Sequence, residues 1–184
     1  ANAQNMSVTD STLKDTSNTL PATAQVLIQR GKITENIANE LMQRVRQSRS
    51  NFIAEVINAG HIDAADMAFT LAQTFALPLL DIAAVDKTKL QKDLMDKKLA
   101  FECKLLPLSR KNGRLIIATA DPGDQIVAKK VKFAIQSSIE WVVVEYPKLN
   151  TLIAELSSST TESLDKLTAN ADFNFDDITS ADED

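Results

Sequence analysis

Glycine is scarce in this chain of 184 residues: Gly31, Gly60, Gly113 and Gly123 are the four it has. No two of them stand five apart, so the phosphate-cradling pattern G-x-x-x-x-G-K-[ST] is absent. All-β folds that turn on glycine at many hairpins are excluded by the same shortage. One cysteine (Cys103) and one histidine (His61) rule out a disulfide framework and a zinc site of clustered Cys and His. No apolar run approaches the roughly 20 residues that cross a bilayer, and the polar first residues read as no signal peptide. What is present is 44% hydrophobic residues, enough for one core of ordinary domain size. These absences leave a soluble, intracellular, non-catalytic domain as the first reading.

Charge is placed unevenly. From Ser157 to Asp184 there are eight acids and one lysine, a local −7 that leaves +2 for the residues before it out of the formal −5. Low hydrophobicity with charge of one sign cannot offset the entropy of ordering, so 157–184 reads as an acidic flexible linker. Phe173 and Phe175 are its only aromatics and form a candidate short docking element. Residues 1–20, polar and without apolar period, read as disordered. The remainder is mildly basic, which describes a solvated mixed-charge surface better than a nucleic-acid interface.

Between Pro21 and Pro78 the chain repeats with a spacing of 29 residues, since Leu27-Ile28-x-x-Gly31-x-Ile33-Thr34 aligns with Val56-Ile57-x-x-Gly60-x-Ile62-Asp63. Each unit reads as a helix, a glycine stop in the left-handed region, a buried aliphatic, an N-cap and a second helix. Ile37, Leu41 and Val45, then Met67, Leu71 and Phe75, recur at spacings of four and mark helix faces, and Phe52, Ile53, Val56 and Ile57 mark another. Two stacked helical hairpins over 21–77 follow.

Beyond Pro78 the period changes. Leu79–Ile82 predicts a short strand, 89–99 one helical segment, and Glu102–Leu108 a strand holding Cys103 as a small buried hydrophobe. Asn112-Gly113 predicts a hairpin turn before a buried strand, Leu115–Ala120. Asp121-Pro122-Gly123-Asp124 turns into a helix with Ile126, Val127, Val131, Phe133 and Ile135 as its apolar positions. A strand over Glu140–Glu145 and a helix over Lys148–Leu156 close a small α/β sandwich over 78–156. The fold class is α+β. No catalytic constellation is present. His61 lacks a Ser or Cys partner at an informative spacing, Asp121 reads first as a turn and cap residue in a loop position that suits function, and Arg44, Arg46 and Arg49 read as a basic helix end or a phosphate patch.

Residues 21–156 resemble the N-terminal domains of the hexameric type II/IV secretion ATPases, most closely the branch that extends type IV pili. The resemblance rests on the two glycine units, on Ala76-Leu77-Pro78-Leu79-Leu80-Asp81-Ile82, on Leu106-Pro107-Leu108-Ser109-Arg110, and on Arg114 through Pro122. It implies a regulatory and docking domain without enzyme activity, metal or resident cofactor, cytoplasmic at the inner face of the inner membrane and not inserted in it. Implied partners are a PilZ-type adaptor or an inner-membrane platform protein, and the ATPase core of the same chain beyond residue 184; in the type II secretion branch the partner is membrane-anchored. Some members, with the MshE-type N-terminal domain, bind cyclic di-GMP across the two units. Carried over by position, the candidate contacts are Leu27, Ile28 and Gly31, then Val56, Ile57 and Gly60, with Arg49 and Asp121 beside them. The Arg-Leu-Gly that opens each unit in those members is here Ala22-Thr23-Ala24 and Asn51-Phe52-Ile53. Their closing glutamines are Val45 and Thr74, with Gln43 and Gln73 nearby but out of register.

Overall fold

A computed structural model describes residues 20–157. The expectations for residues 1–19 and 158–184, including the docking role of Phe173 and Phe175, lie outside the described residues. The helical part comprises α1 (Ala22–Gln29), α2 (Glu35–Ser48), α3 (Phe52–Asn58) and α4 (Ala64–Thr74). Its glycine stops act as the sequence predicts. Gly31 has φ +71° and Gly60 φ +79°. In the first unit Lys32 N–H reaches Leu27 O at 2.8 Å and Gly31 N–H reaches Ile28 O at 3.0 Å. In the second, His61 N–H to Val56 O is 3.3 Å and Gly60 N–H to Ile57 O is 3.0 Å. These are the paired bonds that satisfy the last carbonyls of a helix when a left-handed residue follows it. Ile33 and Ile62 are buried just past each stop. The Thr34 side chain then accepts Ile37 N–H, and Asp63 accepts Asp66 N–H.

The α/β part holds α5 (Lys97–Cys103), β1 (Leu106–Lys111), β2 (Arg114–Thr119), α6 (Gln125–Ala134), β3 (Ser138–Val143) and α7 (residues 146–157). Strand order is β1-β2-β3. The first pair is antiparallel through the Asn112-Gly113 turn, and β2–β3 is parallel, with α6 as its crossover. Side chains along β2 alternate as the pleat requires. Leu115 and Ile117 face Val131 and Ile135 on the α6 side, whereas Ala118 and Ala120 face Leu149, Leu152 and Ile153 on the α7 side. Helices therefore cover both faces of the sheet. Val143, at the end of β3, belongs to the core of the helical part, so the two parts share packing.

Four sequence expectations change. Leu79 makes only an isolated parallel bridge to Val143, and a 3-10 turn at Ile82–Ala84 follows in place of a strand. The helix expected over 89–99 is displaced. Asp86 caps a 3-10 turn at Lys87–Lys89, Asp93 has φ +61°, and Asp96 caps α5, so the chain breaks wherever a short carboxylate competes for backbone N–H groups. The strand expected from Glu102 begins at Leu106, because α5 continues to Cys103 and stops at Lys104 in the left-handed region, φ +53°. Without glycine at 104, that stop had no sequence signal. On α6, Ile126 and Phe133 are 70% and 90% exposed, since Val127, Val131 and then Ile135 form the four-residue stripe that meets the sheet.

Candidate functional site

The candidate ligand contacts divide into core and rim. Leu27 and Val56 are fully buried, and Ile28 and Ile57 pack against the same core half-buried. Gly31 and Gly60 are exposed, and a Cβ at either would meet nothing within 4 Å, so the backbone angle alone calls for glycine there. Arg49 ends α2 in the left-handed region and is exposed, as are Gln43 and Gln73. Lys32 sends its ammonium to Asp66 Oδ2 of α4, 3.0 Å away, tying the first unit to the second.

Asp121 lies where the α/β part meets α1. Thr23 Oγ1 donates to Asp121 Oδ1, and Gly123 N–H donates to the same oxygen at 3.1 Å. Burial pushes the Asp121 carboxyl up to about 6, with Asp124 adding to the rise and the bonds from Thr23 and Gly123 opposing it. Asp121 does not cap α6. Asp124 does, by accepting Val127 N–H at 3.1 Å. Gly123 is buried against the helical part, and a Cβ there would stand 2.6 Å from Thr23 Oγ1 and 3.2 Å from Phe75 Cζ.

A second polar tie crosses between the parts at Asn51. Its Oδ1 accepts Ala54 N–H at 2.8 Å as the cap of α3, and its Nδ2 donates to Tyr146 Oη, also 2.8 Å away, at the start of α7. The opening positions of the two units thus serve the seam: Thr23 binds Asp121, and Asn51 binds Tyr146. Thr23 and Tyr146 carried no sequence signal for this role, since their partners stand 98 and 95 residues away. Among the described residues no group of three or more His, Cys, Asp or Glu side chains is placed to hold a metal ion.

A helical repeat unit meets the mixed sheet at the half-buried Asp121-Pro122-Gly123 turn, and both parts have counterparts among known proteins. The MshEN domain matches residues 75–163. Over 145 residues, 79% of this chain, the sequence is 24% identical to the type IV pilus assembly ATPase PilB of Pseudomonas aeruginosa. Over 129 residues, 70% of the chain, it is 23% identical to PilB of Acinetobacter baylyi. The matches span 26% and 22% of those relatives, so the chain covers about a quarter of their length. The fold is similar to that of the N-terminal domain of XpsE, with TM-score 0.56, 20% identity and coverage of 72% of this chain and 91% of that one. It is also similar to MshE in its structure with cdg, with TM-score 0.53, 18% identity and coverage of 72% and 96%. In sequence and in fold the chain is similar to the N-terminal domains of type II/IV secretion ATPases.

Proposed function

We propose that this domain is the regulatory and docking module, itself non-catalytic, of a motor ATPase that extends type IV pili. It works in the cytoplasm at the inner face of the inner membrane and takes its signal from protein, through a PilZ-type adaptor or the membrane platform. Likeness to two PilB sequences supports the pilus branch. One observation carries the choice of a protein signal over direct cyclic di-GMP: the second unit opens with Asn51, whose amide is held between Ala54 N and Tyr146 Oη. Ala22, which opens the first unit, has no charge to offer. A dinucleotide diphosphate needs charge-assisted donors at its phosphates, and Ala22 and Asn51 supply none.

Calorimetric titration of the chain with cyclic di-GMP at physiological salt checks this. Absence of heat at high ligand concentration, with saturable binding of a PilZ-type adaptor, is the expected result. Submicromolar binding of the dinucleotide would instead assign the site to Leu27, Ile28, Gly31, Val56, Ile57 and Gly60, with Arg49 and Asp121 at its edge. A second reading, implied by the resemblance to the wider secretion ATPase family, has the domain dock on the membrane-anchored partner of a type II secretion system; binding to that partner and not to the adaptor would favour it.

A further inference from the structure

At the β1 edge of the sheet, where the α6-side and α7-side cores meet, a groove of about 620 Å³ opens between the 87–97 segment, α5 and the last turn of α7. Leu94, Met95, Phe101 and Ile153 give it an apolar floor, and Phe101 is 54% exposed. Lys87, Lys92 and Lys97 stand around it with Asp93 as the single acid among its lining residues. Over residues 87–104 six lysines face three acids, a local +3. Leu156 and Ser157 also line the groove, so the chain leaves α7 at its mouth.

We propose that this groove is the seat of the chain's own acidic segment, Asp172-Phe173-Asn174-Phe175-Asp176-Asp177-Ile178, folded back in cis. The pairing is complementary in both respects that matter. Residues 158–184 carry −7 against the local +3, and Phe173, Phe175 and Ile178 are apolar side chains within that charge. Fifteen residues separate Ser157 from Phe173; extended, they reach roughly 50 Å, so the return path is not limiting. Tethering of this kind supplies an effective concentration on the order of millimolar, so a weak contact suffices. Phe69, Leu79, Ile126 and Phe133 are also exposed, and none of them lines this groove. A partner that uses the groove competes with this segment, which makes the segment a built-in regulator of access.

Paramagnetic relaxation tests the contact in the full chain. With Cys103→Ser and Ser180→Cys, a nitroxide at position 180 is expected to broaden the amides of Leu94 and Phe101 by about two-fold or more. Added Phe173→Ser and Phe175→Ser should restore those amides, and about 0.5 M salt should weaken the effect by shortening the screening length. Three outcomes overturn the proposal. They are Leu94 and Phe101 amides indifferent to the serine substitutions, broadening centred on Ile126 and Phe133, and broadening seen only when spin-labelled and isotope-labelled copies are mixed, which assigns the groove to a second copy.

Discussion

Asp121 is a carboxylate whose protonation is coupled to folding. Its folded pKa is raised from 3.8 to about 6, so the folded state binds its proton more tightly than the unfolded state does. The stability this gives is present in full below pH 3.8 and is lost as pH rises through 6. The loss is on the order of 3 kcal/mol, at about 1.4 kcal/mol for each tenfold change in proton affinity. Asp121→Asn keeps an oxygen to accept Thr23 and Gly123 while removing the charge. Denaturant unfolding of both proteins between pH 4 and 7 should give stability curves that converge at the acid end and separate toward neutrality, with the Asn variant the more stable at pH 7. Parallel curves would show that the carboxyl titrates normally.

Left-handed residues offer a second check at the same scale. Gly31→Ala forces a Cβ into φ +71° and should lower stability by about 1 kcal/mol, although it meets no neighbour. Ala76 already has φ +53° and closes α4 with Leu77 N–H on Ala72 O at 2.9 Å. Ala76→Gly relieves that angle and should raise stability by about 0.5 kcal/mol, after the greater freedom glycine gains in the unfolded chain is deducted. Thermal unfolding reads both changes.

Among the elements, the helices of the repeat were legible because each is bounded by local chemistry: glycine behind, Thr34 or Asp63 ahead, and apolar positions four apart between. Leu71, fully buried on α4, illustrates what that face holds together. Leu71→Ala should cost about 3 kcal/mol through lost burial and the cavity left behind, measured as a fall in the denaturation midpoint at unchanged slope. The strands β2 and β3 and the Asn112-Gly113 turn were legible for a similar reason. The stretch from Leu79 to Leu106 was not. Its breaks fall at Asp86, Asp93, Asp96 and Lys104, where a single short side chain or a left-handed non-glycine residue decides, and such residues occupy surface positions just as often. Ile126 and Phe133 misled in the opposite sense, since hydrophobicity without phase does not say which side of a helix meets the sheet.

At the scale of the whole molecule the seam matters most. Gly123→Ala places a Cβ 2.6 Å from Thr23 Oγ1 and 3.2 Å from Thr23 N, so the turn must move away from α1. A loss of about 2 kcal/mol is expected, as for other overpacked sites. Asn51 and Tyr146 supply the independent probe of the same contact. A double-mutant cycle of Asn51→Ser, which retains a capping oxygen, with Tyr146→Phe should give a coupling of about 1 kcal/mol if the bond ties the parts together. Zero coupling would leave the Thr23–Asp121 bond and the apolar packing around Val143 to join them. The binding site that the resemblance implies is legible only as scaffold. Leu27, Ile28, Val56 and Ile57 could be named from the sequence, but their burial in one core, and the engagement of Thr23 and Asn51 by partners in the α/β part, could not.

By itself the sequence determined the helical repeat, the hairpin, the α+β class and the uneven charge, all of which rest on contacts within a few residues or on simple periodicity. Tertiary structure alone decided that Asp121 is bonded to the buried Thr23, that Asn51 is tied to Tyr146, and that the groove opens where α7 ends. Those contacts join positions some 70 to 100 residues apart, and a side chain's partner at that range is set by how helices and sheet pack, which no local pattern encodes.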